Sequence, residues 1–171
     1  MRTFSHARFW IGPAVATAAL ALLGCVSADV TKSADTRREV AECLPDGTPA
    51  ASVVMRAIWF PNTGGFSTLD ASPIGHMSGV LALAGDKLWF MTWNDPEHHY
   101  DMRRSVSFLA PAGIKIDRLG TSSLLVVQSA SMVYDSFELM NGGDFGTDPK
   151  ATQELYDRLE ALRAKAPAAD P

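Results

Sequence analysis

Between residues 52 and 140 apolar side chains recur at every second position, in short runs cut off by Gly, Pro, Asn, Asp or Ser. Successive side chains of an extended chain point to opposite sides, so a period of two is the signature of half-buried strands. The spacing predicts strands over 52–60, 78–84, 87–93, 104–109, 114–119, 123–130 and 132–140, with a tight turn near Ser131. Gly85-Asp86 joins two of them as a two-residue hairpin, the connection that positive-φ residues favour. Leu88 shares a face with Phe90, Val106 with Phe108, and Ile114 with Ile116, the last pair opposite Lys115 and Asp117. One buried face per strand is the pattern of an antiparallel sheet or small barrel.

Past "NGGDFG" (141–146) the period lengthens to 3.6. Thr147 or Asp148 can cap a helix, Pro149 suits its first position, and Leu155, Leu159, Leu162 and Ala166 form one stripe. Glu154 and Arg158 form an i,i+4 pair on the other side, and Pro167 ends the helix. The expected fold is therefore mainly β with one C-terminal helix: a seven-stranded antiparallel barrel or strongly bent sheet, capped by an amphipathic helix.

The stretches "GVLALAGDKLWFMTWN" and "VSFLAPAGIKIDRLGTSSLLVVQSASMVYDSFEL", followed by the helix, resemble the pleckstrin-homology-like fold, in particular its GRAM-like and bacterial variants. Gly79, Leu88, Phe90, Ile114, Ile116, Gly120, Leu124, Val126, Ser136 and Phe137 stand at comparable places, which are core and turn positions. The resemblance implies the fold and not a ligand. The helix lacks the tryptophan of eukaryotic members, and an unrelated β-sandwich or open barrel with one helix fits the same pattern. In that family basic residues of the first and third hairpin loops bind phosphoinositide heads. Here the first loop is the neutral "PNTGGFSTLD", and the third is acidic except for Arg103 and Arg104 at its exit, so that function does not carry over.

Ahead of the strands, Arg2 and Arg8 precede an uncharged Ala/Leu-rich run of residues 9–23. It is shorter than the roughly 20 apolar residues of a spanning helix and has the layout of a secretory signal. Leu22-Leu23-Gly24-Cys25 resembles the lipobox of bacterial lipoproteins, which implies cleavage between Gly24 and Cys25 and lipidation of the Cys25 thiol. The expected organisation is a signal peptide (1–24), a lipidated and largely flexible tether (25–50) with room for a short helix around 36–43, the pleckstrin-homology-like domain (51–166) and a disordered tail (167–171). A membrane contact through acyl chains follows, since more than one chain anchors stably. Val26 after the cysteine leans towards the periplasmic face of the outer membrane, where the cell has one.

Losing Arg2 and Arg8 with residues 1–24, which hold no acid, takes the formal charge from −4 to −6. That balance argues against nucleic acid as a partner. Once Cys25 is lipidated, Cys43 has no partner in its own chain, so no disulfide framework exists.

Two places could carry function. Residues 94–102 read "NDPEHHYDM": in extended chain Asp95, Glu97, His99 and Asp101 point one way and His98 the other, a set that could hold zinc or manganese, or serve a metal sensor. Adjacent histidines do not by default share a surface, and a solvated hairpin loop is the competing reading. Met91, Met102 and His76-Met77 offer a thioether set for copper, although methionine usually fills cores. The other place is the strand 87–93, where Trp89, Met91 and Trp93 lie opposite Leu88 and Phe90. An uncovered face of that kind marks a surface for another envelope protein or an apolar ligand. No nucleophile elbow, phosphate loop or dinucleotide fingerprint is present, so a non-enzymatic binding or scaffold module without a cofactor is expected.

Overall fold

The computed structural model describes residues 34–61, 75–109, 113–129, 133–141 and 146–166. Gly24, Cys25, the turn at Ser131 and the tail from 167 lie outside the described residues. The elements are α1 (Ala34–Cys43), β1 (Val53–Pro61), β2 (Met77–Ala84), β3 (Lys87–Asn94), β4 (His99–Ser107), β5 (Ile114–Leu119), β6 (Ser122–Gln128), β7 (Tyr134–Leu139) and α2 (Pro149–Arg163). The seven strands form one antiparallel sheet in the order β4-β3-β2-β1-β7-β6-β5. Two meanders, β1–β4 and β5–β7, thus meet along a single seam between β1 and β7.

β4 and β5 are the two edges and do not pair with each other, so the sheet is open rather than a closed barrel. It is nonetheless strongly bent. Neighbouring strands lie about 4.8 Å apart, which would put β4 roughly 19 Å from β7 in a flat sheet. Yet Arg104 on β4 meets Asp135 on β7 at 2.7 Å, and the rings of Phe90 and Phe137 lie 6.2 Å apart across three strand spacings. Only a sheet curled around those side chains brings them together.

Two local features help the bend. Gly79 has no room for a side chain, because a Cβ there would run into the Met91 carbonyl oxygen. Between Phe90/Met91 and their partners the register slips by one residue, leaving Arg103 as the extra residue of a β-bulge. Such a bulge kinks its strand. It also reverses parity within β4, so Tyr100 and Met102 face one way while Arg104, Val106 and Phe108 face the other.

The concave face holds the main core: Ala57, Trp59, Leu81, Leu83, Leu88, Phe90, Val106, Phe108, Leu125, Val127, Phe137 and Leu139, with Leu155 and Leu159 of α2 laid over it. The expected helix forms as its signals imply. The Asp148 side chain accepts from the Ala151 N–H at 2.9 Å, and Pro149 opens the first turn. Leu155 and Leu159 are buried, whereas Leu162 stays 36% exposed. Glu154 reaches back to Lys150 at 3.7 Å.

The convex face is covered in part by α1. Thr36, Val40, Cys43 and Leu44 follow the i, i+4, i+7, i+8 stripe and lie on Val54, Ala82, Ala84, Trp89, Met91 and Tyr100. Arg38 links Asp35 and Glu42 on the solvent side, and Pro45 stops the helix. Residues 34–50, expected within a largely flexible tether, are therefore built into the domain. No helix among the described residues is long and apolar enough to cross a membrane.

Candidate ligand site

The convex face is where the sequence placed an open aromatic surface, and the structure changes that expectation. Trp89 and Met91 are buried, at 7% and 0% exposure, under Val40 and Leu44 of α1. The Trp89 indole donates to the Ala84 carbonyl at 3.2 Å, and the Lys87 ammonium lies 5.5 Å from its ring. Of the three residues only Trp93 is open, at 40%. The covering stripe was readable in "DTRREVAECL", but a polar, Ser- and Thr-rich neighbourhood hid it.

Where α1 ends its cover, a cleft of about 470 Å³ remains. Its floor is Ala57, Ile58, Gly79 and Val80 of β1 and β2; Trp93 and Tyr100 form one wall, Met140 lies at the β7 end, and Glu39 comes from α1. That volume falls within the range of small-molecule sites, about 300–1,000 Å³. Trp93 and Tyr100 sit directly opposite each other on β3 and β4, with ring centroids 5.1 Å apart at 71°. This edge-on contact holds the Trp93 ring upright beside the cleft.

Two charges enter the cleft, Arg56 from β1 and Glu39 from α1. Burial holds the Tyr100 hydroxyl above its usual value; the Glu39 charge adds to the rise, while a hydrogen bond with Thr36 and the Arg56 charge oppose it. Tyr100 therefore stays a neutral hydroxyl, fixed by α1 between charges of opposite sign.

The histidine loop is shorter than the sequence suggested. Only residues 95–98 form the turn, with His98 in the left-handed region at φ 54, and β4 begins at His99. The two imidazoles part company. His98 lies 6.5 Å from the Trp93 ring, while His99 Nε2 is 3.0 Å from Asp101 and 3.4 Å from Glu97. Asp101 also accepts from Asn94 at 3.2 Å and Arg103 at 3.1 Å, so its oxygens serve to lock the hairpin. Among the described residues no group of three or more His, Cys, Asp or Glu side chains is placed to hold a metal ion. Met91 and Met102 are cross-strand neighbours in the apolar layer under α1, and His76 stacks near Phe60 at 6.0 Å, so the copper set is dispersed.

Arg104, at the exit of that loop, is tied down on the concave face. Its guanidinium makes three hydrogen bonds of 2.7–3.1 Å to Asp135, a carboxylate 1% exposed that also accepts from the Trp59 indole at 3.0 Å. Sequence reasoning missed this pair. Both residues stand in line with core-facing neighbours, Arg104 with Val106 and Phe108, Asp135 with Phe137 and Leu139, and that parity was the available signal. Cys43 is half-buried beside Met102, and burial, then the Asp101 charge, pushes its thiol up. It is a poor nucleophile in that setting.

No protein-family model matches the chain, and no curated protein matches it.

Proposed function

We propose that the protein is a bacterial envelope lipoprotein, anchored through Cys25, whose pleckstrin-homology-like domain is a non-enzymatic binding module with its ligand site in the cleft beside Trp93. The observation that carries this reading is the cleft itself: an apolar floor, one upright exposed indole and two charges on an otherwise covered face. Ligand pockets combine apolar walls with a few placed polar groups in this way. The lipobox-like run ending at Cys25 supports the anchor, and seven consecutive antiparallel strands with a terminal helix are in keeping with the family resemblance. A sensor that binds metal at the loop of His98 and His99 has no such support, since among the described residues no group of three or more His, Cys, Asp or Glu side chains is placed to hold an ion.

Two measurements test the reading. Replacing Cys25 by Ala should release the protein from lipid attachment, seen as a changed gel mobility and loss of acyl label. An unchanged mobility would remove the anchor. Native mass spectrometry of the protein extracted from membranes in nonionic detergent should show a small adduct that is absent from Trp93→Ala. An adduct equally present in both proteins would move the site elsewhere.

A further inference from the structure

The cleft carries more information than its volume. Arg56 and Glu39 both line it, yet they form no ion pair with each other, and the ion pairs among the described residues include neither. Two opposite charges that merely stabilised the fold would be expected to close on one another. Not joined to each other, they give the described lining one positive and one negative charge. A simple cation entering it would meet Arg56, and a simple anion would meet Glu39. A ligand bearing both charges satisfies both walls.

The remaining lining narrows the cationic end. A primary ammonium presents three N–H donors and needs as many acceptors. Apart from backbone, the lining among the described residues offers it Glu39, Ser78 and the Tyr100 hydroxyl, and the last already bonds with Thr36. A quaternary ammonium has no N–H to satisfy, and its methyl groups suit the rings of Trp93 and Tyr100. It is also the cation that an aromatic wall with a nearby carboxylate attracts best. The Arg56 guanidinium, between Val80 and Met140 on the neighbouring strands, supplies a fork of donors for a phosphate or carboxylate.

We infer that the cleft beside Trp93 binds a quaternary-ammonium zwitterion, a phosphocholine or betaine type of molecule, with its anionic group on Arg56 and its trimethylammonium against Trp93, Tyr100 and Glu39. This rests on the reading of the cleft as the ligand site given above. The same chemistry exists as a free solute and as the head of a choline phospholipid.

The test is calorimetric titration of the full protein in nonionic detergent with phosphocholine, glycine betaine, choline and inorganic phosphate. One-to-one binding of a zwitterion is expected, with choline and phosphate each weaker by about tenfold or more, a gap of about 1.4 kcal/mol or greater. Arg56→Gln and Trp93→Ala should each lose about tenfold at an unchanged melting temperature, the scale of one charge-assisted contact or one cation–π wall. Dihexanoyl phosphatidylcholine below its micellar concentration separates the sources: tighter binding than phosphocholine assigns the lipid head, equal or weaker binding the free solute. Choline binding as tightly as the zwitterions, or variants that bind like the parent, would overturn the inference. Absence of any zwitterion binding, with the Trp93-dependent adduct still present, would sink the ligand class and leave the binding module standing. Loss of both would end both readings.

Discussion

The two faces of the sheet are built from the same strands and do opposite things. The concave face is filled: side chains from all seven strands and α2 meet in one cluster, and its polar intruder, Asp135, is met by Arg104 and Trp59. The convex face is filled less completely: α1 covers Val54, Ala82, Trp89 and Met91, and beside it a cleft remains, lined among others by Arg56, Glu39 and Trp93. The difference between the faces is thus one of packing within a single layer of backbone: residues facing inwards hold the fold, and the outward-facing ones beside α1 leave a cleft.

Substitutions that break this contrast should rank by face. Asp135→Ala is expected to stand with Leu159→Ala at the costly end, at about 3 kcal/mol, the low end for breaking a buried ion pair because the Arg104 side chain keeps 34% of its exposure. Urea denaturation of Asp135→Ala beside Asp135→Asn measures it, and a loss below about 1 kcal/mol would show the pair to be ornamental. Leu159→Ala, under the fully buried turn of α2, should cost about 2–5 kcal/mol. Val40→Ala is its counterpart on the convex side; two buried methyl groups at about 0.8 kcal/mol each give about 1.5 kcal/mol. Should Val40→Ala cost as much as Leu159→Ala, α1 belongs to the core and the contrast fails. Trp93→Ala, half in water, should change stability by less than about 0.5 kcal/mol while weakening ligand binding about tenfold.

Alkali sharpens the same distinction without mutation. Cys43 on α1 and Tyr100 beneath it keep their protons more tightly folded than unfolded. Their contribution is complete below the ordinary values of 9.0 and 10.0 and is lost as the pH rises past them. The convex layer should therefore loosen first above pH 9, seen as α1 amides losing hydrogen-exchange protection before those of α2. Simultaneous loss in both helices would mean that the faces do not act separately.

Strand periodicity, the Gly85-Asp86 hairpin and the Asp148-Pro149 helix start were all legible, because each is a local signal read from neighbouring residues. What crosses the sheet was not. The bulge at Arg103 shifts parity within one strand, so Tyr100 and Met102 could not be assigned to the side of Trp89 and Met91 by counting from Val106. The Arg104–Asp135 pair depends on curvature, which belongs to the whole sheet. For the candidate site, Trp93 stood out in the sequence but was joined to two residues that are buried. Arg56 and Glu39 carried no signal, since they come together only when α1 packs on the sheet.

The position of β1 bears on how the chain acquires this shape. Each meander pairs strands that follow one another in the chain, the longest connection being residues 62–76 between β1 and β2, whereas the seam between β1 and β7 joins partners far apart in sequence, Trp59 and Asp135 being separated by 76 residues. Closing that distance costs entropy that no local contact offsets, so the seam is the natural bottleneck of folding. Each half also offers the other its unpaired strand until they zip together. Two polypeptides cut between β4 and β5 should thus recombine through β1 and β7, which makes this domain a candidate split reporter whose reassembly restores both the buried Asp135 and the open cleft.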